Sequence, residues 1–115
     1  MEKIQTEDFI AHHDADAQTV FLQGFLRLNG IEEYQPIMSL LLGAIDQTTS
    51  CIVDLSKLEF LNSSGISMLS MFVVRVRDRG NVNLVFRGSN KVLWQTRSLK
   101  NLKRLMPALT IDLLD

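Results

Sequence analysis

The run Leu61-Asn62-Ser63-Ser64-Gly65-Ile66 holds the residues whose types and spacing are best suited to chemistry. It follows a strand-like apolar segment at residues 51–55, after a short connector, and opens a long segment of helical apolar periodicity. Asn and Ser are favoured helix N-caps because their side-chain oxygens accept hydrogen bonds from backbone N–H groups that lack partners. A hydroxyl at such a point lies beside unpaired donors and the positive end of a helix dipole. That environment suits an anion, including a phosphate carried by the serine itself. The same four residues also serve an ordinary capped helix, and only their context separates the two readings.

Other reactive side chains offer little. Cys51 is the only cysteine, so a disulfide within the chain and a multi-cysteine zinc site are excluded, and its apolar setting reads as a buried structural thiol. His12 and His13 are adjacent in a strand-like run and point to opposite faces, which argues against a shared metal and leaves at least one facing solvent. Ser63 lacks a Gly-x-Ser-x-Gly elbow and an evident His–acid pair, which argues against a serine hydrolase. The chain reads as a non-enzyme without cofactor or metal.

The elements that position the serines follow from periodicity. Residues 9–13 and 19–28 read as a strand hairpin around the turn Asp14-Ala15-Asp16-Ala17, with Gly24 as a bulge. Asn29-Gly30 breaks the pattern, and Glu32 and Glu33 load the start of a helix with favourable charge. Pro36 is expected in that helix's first turn. Tyr34, Ile37, Met38, Leu41, Leu42 and Ile45 share its apolar face. Residues 50–55 form a buried strand, 64–79 a helix closed by Gly80, and 82–86 another strand. A helix over 91–106 buries Val92, Leu93, Leu99, Leu102 and Leu105 before Pro107 stops it, and 109–113 form a short strand or an extended tail. Trp94 reads as a packing residue, with an interface anchor as its alternative. The order ββαβαβα(β) implies one α/β domain over residues 1–115, with a mixed sheet of an N-terminal hairpin plus parallel strands. The serine loop then falls at the carboxyl end of a strand, where α/β proteins commonly place function.

Composition agrees with one globular domain: 115 residues, 46% hydrophobic and 22% charged. The polar, acidic start lacks the features of a signal peptide, and no apolar stretch reaches the roughly 20 residues that span a bilayer, so a cytoplasmic location is expected. The net charge of −1 conceals a polarity. Acids outnumber bases ten to three over residues 1–60, while bases outnumber acids nine to three over residues 61–115. Such a distribution can steer an acidic protein partner. Nucleic-acid binding is not expected, since no helix-turn-helix, aromatic RNA-recognition or cysteine–histidine finger pattern accompanies the charge.

At residues 52–66 the chain resembles a STAS domain, the fold of bacterial anti-sigma-factor antagonists. Asp54, Leu55 and Ser56 match the family's Asp-Leu-Ser strand end, and Ser63, Ser64, Gly65 and Ile66 match its Asp-Ser-Ser/Thr-Gly-Leu/Ile helix opening. The resemblance implies reversible phosphorylation of Ser63 by a partner kinase of anti-sigma type and its reversal by a PP2C-type phosphatase. It implies a partner-binding loop formed by Asn62, Ser63, Ser64, Gly65 and Ile66, extended by Met68 as an adaptable contact, with Met71 assigned to the core. Asn62 departs from the family's Asp, keeping a capping oxygen while removing a negative charge beside the acceptor hydroxyl. A constitutive scaffold, in which Ser63 only caps the helix, is the alternative.

Overall fold

The computed structural model describes residues 2–46 and 48–115. Seven strands and three helices alternate along it. They are β1 (Glu2–Gln5), β2 (Phe9–Asp14), β3 (Thr19–Leu26), α1 (Gly30–Asp46), β4 (Ser50–Asp54), β5 (Leu58–Leu61), α2 (Ser63–Arg79), β6 (Asn83–Ser89), α3 (Leu93–Leu105) and β7 (Thr110–Leu114). The sheet order is β1-β2-β3-β4-β6-β7, with β5 paired to β3 off that path. Strands β1, β2 and β3 are antiparallel neighbours, whereas β3–β4, β4–β6 and β6–β7 are parallel. The mixed sheet with an N-terminal hairpin is therefore as the sequence implied.

Two strands go beyond that expectation. The polar start forms edge strand β1, and the connector before the serines forms β5. Strand β3 serves two partners in succession: Thr19–Phe21 pair with β4, and Gly24–Leu26 pair with β5. The register shifts between Gly24 and Phe25, so Gly24 is the bulge its sequence position indicated. Its φ of +95° favours glycine, and an added Cβ would fall 2.3 Å from the Asp8 carbonyl oxygen.

Crossovers from β3 to β4, from β4 and β5 to β6, and from β6 to β7 all advance the same way across the sheet. Right-handed connections then place the three helices on one face. Burial follows this layout: Ala11, Val20, Leu22, Val53, Leu84 and Phe86 face the helices with no more than a trace of exposure, while alternate residues such as His12, Phe21, Ile52 and Val85 are half-buried. The core is completed by Tyr34, Ile37 and Leu41 of α1, Leu69, Phe72 and Val76 of α2, and Leu99 and Leu102 of α3.

Several local expectations change. Pro36 sits in the second turn of α1, not the first, on its exposed side. The start of α1 is instead satisfied by Glu33, whose carboxylate accepts from the Asn29 N–H at 3.1 Å. Helix α3 starts at Leu93, which is 87% exposed rather than buried, because the helix phase puts Gln95 and Leu99 inward. His13 is buried, while His12 on the opposite face is half-buried and stacks on Phe21 with ring centroids 4.8 Å apart. Cys51 is buried as expected, and burial pushes its thiol up to about 11. Among the described residues no helix is long and apolar enough to cross a membrane.

Candidate functional site

The Asp54-Leu55-Ser56 segment turns the chain from β4 into β5. Asp54 Oδ1 accepts from the Ser56 N–H at 2.9 Å and from its hydroxyl at 2.6 Å, closing a side-chain turn. The Leu58 N–H then donates to the Leu55 carbonyl at 2.9 Å. Gln95 of α3, fully buried, clamps this turn: its Nε2 donates to the carbonyls of Leu55 at 2.6 Å and Leu58 at 2.9 Å. Its Oε1 accepts from the Ser89 N–H at 2.8 Å, so every polar atom of the side chain is used. Trp94 packs beside it, half-buried, its Nε1 donating to the same Leu58 carbonyl at 3.2 Å.

Strand β5 delivers Asn62 to the start of α2. The Asn62 N–H donates to the Leu26 carbonyl at 3.1 Å, and Asn62 is the N-cap. Its Oδ1 accepts from the Gly65 N–H at 3.0 Å and from the Tyr34 hydroxyl at 2.6 Å, and its Nδ2 donates to the Leu28 carbonyl at 2.8 Å. A carboxylate could reproduce the first two bonds but has no donor for the third. The Asn at this position, where the STAS pattern has Asp, is thus the residue type the pocket requires. Tyr34 is fully buried, and loss of hydration raises its pKa, partly offset by a hydrogen bond with the Leu28 backbone.

Gly65 allows this convergence. A Cβ there would lie 2.2 Å from Leu61 Cδ1 and 2.8 Å from Tyr34 Oη. Its role is close approach, since every larger residue would displace the Tyr34–Asn62 bond.

Ser63 is the first residue of α2 and is exposed, while Ser64 and Ile66 are half-buried. Neither serine caps the helix; Asn62 does, which removes the capping role assigned to Ser63 in the scaffold alternative and to Ser64 in the switch. The N–H groups of Gly65 and Ile66 are taken by Asn62, whereas those of Ser63 and Ser64 have no protein acceptor among the described residues. An exposed hydroxyl therefore stands beside two open donors at a helix start. Met68 is 1% exposed and cannot join a contact surface; Met71, assigned to the core, is 40% exposed. Among the described residues no group of three or more His, Cys, Asp or Glu could hold a metal ion.

Sequence reasoning missed Tyr34 and Gln95 as parts of this site. Each carried a signal: a phenol on an apolar helix face needs a partner for its hydroxyl, and Gln95 shares the inward phase of Leu99 and Leu102.

The chain is a single α/β domain with a mixed seven-strand sheet and three helices, and it presents a capped, serine-bearing helix start at one end of the sheet. Its fold is similar to that of SiaC of Pseudomonas aeruginosa, at 13% identity and TM-score 0.68 over 100% of this chain and 98% of that one. A chain in the crystal structure of the diguanylate cyclase SiaD in complex with its activator SiaC, from the same organism, matches at 13% identity and TM-score 0.75, covering 99% of this chain and 100% of that one. Apo-SiaC matches at 11% identity and TM-score 0.71 over the whole of both chains. No protein-family model matches the sequence, and no curated protein matches it. At such identities the likeness establishes the fold.

Proposed function

We propose that the protein is a non-enzymatic partner-switching regulator of STAS-like type, controlled by reversible phosphorylation of Ser63. The observation that carries this reading is the exposed Ser63 hydroxyl at the first position of α2, held in place by a half-buried Asn62 cap in which it takes no part. A kinase can reach such a hydroxyl without unfolding the helix. The phosphate, carrying roughly −1.5 to −2 charges, would meet the open N–H groups of Ser63 and Ser64. The protein's own fold would tolerate modification, and its effect would fall on whatever docks there.

The partner of the unmodified form is a signalling enzyme, by analogy with SiaC, which activates the diguanylate cyclase SiaD with which it forms a complex. A kinase of anti-sigma type adds the phosphate and a PP2C-type phosphatase removes it, following the STAS resemblance. Desolvating a phosphate at the interface, with a penalty of about 2–4 kcal/mol, weakens binding roughly 30- to 1000-fold. That is enough for a switch without a change of fold.

The test pairs phosphate incorporation with binding. Wild type and Ser63→Ala are incubated with the cognate kinase, and both, with Ser63→Glu, are titrated against the partner enzyme. Label should appear in wild type and be absent from Ser63→Ala, while Ser63→Glu binds more weakly than either. Equal labelling of wild type and Ser63→Ala would remove Ser63 from the mechanism.

A further inference from the structure

Helices α2 and α3 lie side by side and run the same way, since each leaves the carboxyl end of a strand in one parallel set. Both ends of the pair are fixed. Trp94 near the start of α3 bonds Leu58 just ahead of α2, and Arg77 near the end of α2 donates to the Leu105 carbonyl at 3.2 Å. Between them runs a groove whose apolar floor is Met71, Val74 and Leu105, with Ser70 and Arg75 at its edge. Ser63, Ser67, Ser70 and Val74 recur at the spacing of one helical stripe, so Ser63 stands at the amino end of the same face, about 16 Å from Val74.

The exposed face of α3 beside the groove carries one sign of charge. Leu93, Arg97, Lys100 and Arg104 recur at the same spacing along the exposed side of α3, a helix without an acidic residue. Arg75 rises from α2 on the other side and is also exposed. Asp78, the one acid of α2, is occupied by Arg77 at 3.2 Å. Arg75, Arg97, Lys100 and Arg104 form no ion pair among the described residues. An apolar floor edged by Arg75, next to a helix whose exposed face is basic and unpaired, complements an amphipathic helix with acidic flanks. Met71, Val74 and Leu105 line a concavity.

We propose that the α2–α3 groove docks an acidic amphipathic helix of the partner protein. Its apolar stripe would seat on Met71, Val74 and Leu105, and its carboxylates would face Arg75, Arg97, Lys100 and Arg104. The coupling to Ser63 rests on the switch reading above: a phosphate at the amino end of the same stripe would confront the docked helix with like charge.

The test uses the full chain, labelled for NMR, and a synthetic helix with a leucine stripe and glutamate flanks. A peptide with the same stripe and lysine flanks, and vesicles of anionic phospholipid, are the controls. The acidic peptide should bind, perturb α2 and α3 only, and be released as salt approaches ~1 M, where screening acts within about 3 Å. Arg97→Glu with Arg104→Glu, a pair of exposed changes, should weaken it at least about tenfold, and Met71→Glu likewise. Equal binding of the lysine peptide, perturbation elsewhere, or vesicle binding without acidic-peptide binding overturns the groove proposal. If the peptide binds in the groove but Ser63→Glu leaves it unchanged, and the kinase does not label Ser63, the groove stands and the switch falls. If Ser63 is labelled and the peptide does not bind, the reverse holds.

Discussion

The Tyr34 hydroxyl donates to Asn62 Oδ1 at 2.6 Å, so the second turn of α1 holds the residue that caps α2. The position of Ser63 is therefore set by α1 and β3 as well as by its own helix.

Placing the STAS pattern's acid at the cap should weaken the fold. Asn62→Asp keeps acceptors for Gly65 and Tyr34 but turns a carboxylate oxygen toward the Leu28 carbonyl in place of a donor. A loss of about 1–3 kcal/mol is expected in urea unfolding at neutral pH. Tyr34→Phe, which removes the phenol's bonds to Asn62 and the Leu28 backbone but leaves Asn62 its two other side-chain bonds, should cost less, about 0.5–1.5 kcal/mol. A neutral Asn62→Asp would show that the Leu28 contact does not select the amide.

Gly65→Ala separates helix propensity from close approach. Alanine in a helix interior gains about 0.8–1.0 kcal/mol over glycine on propensity alone. Here its Cβ would press on Leu61 and on the Tyr34 hydroxyl, so a net loss of about 1–3 kcal/mol is expected by thermal or urea unfolding. A stabilised variant would contradict the packing described.

Gln95→Leu keeps the volume and removes the clamp. It strands the Ser89 N–H in the interior, leaves the Leu55 carbonyl only the Leu58 N–H, and leaves the Leu58 carbonyl only Trp94. A loss of about 2–5 kcal/mol is expected, with faster hydrogen exchange at Leu58, whose N–H closes the turn.

Alkali should expose the buried thiol. Burial raises the Cys51 pKa from 9.0 to about 11, so the folded state keeps a proton that the unfolded chain releases first. This contribution is complete below pH 9.0 and is lost as the pH climbs through about 11, a decline of roughly 2–3 kcal/mol. Unfolding of Cys51→Val across the same range should show a shallower fall. What remains belongs in part to Tyr34, whose pKa is likewise raised and whose contribution fades above 10.0.

What the sequence discloses depends on where each residue's partner lies. The hairpin, the Gly24 bulge, the helices and the Gly80 C-cap (φ +71°) were legible because periodicity and local backbone chemistry decide them. Strand β1 carries no alternation, and β5 has four residues of which the middle two are exposed, so only their neighbours in the sheet define them. The Asn62 cap was readable from its type, yet its bonds to Leu28 and Tyr34 join residues 34 and 28 positions apart. The Gln95 clamp crosses 40 positions to Leu55. Met68 and Met71 differ by three residues on one helix, and a small error in its phase exchanges core for surface.

The anchoring of Asn62 also has a bearing on how this chain can vary in length. Leu26, Leu28 and Tyr34 all reach the one asparagine, so the segment between β3 and the second turn of α1 acts as a fixed ruler. One residue inserted between Leu28 and Tyr34 would misplace the cap and, through it, the serine at the head of α2. The Asp14–Ala17 turn and the exposed Pro107-Ala108 pair, which bear no part of that measurement, are the places where insertions and tags can be carried.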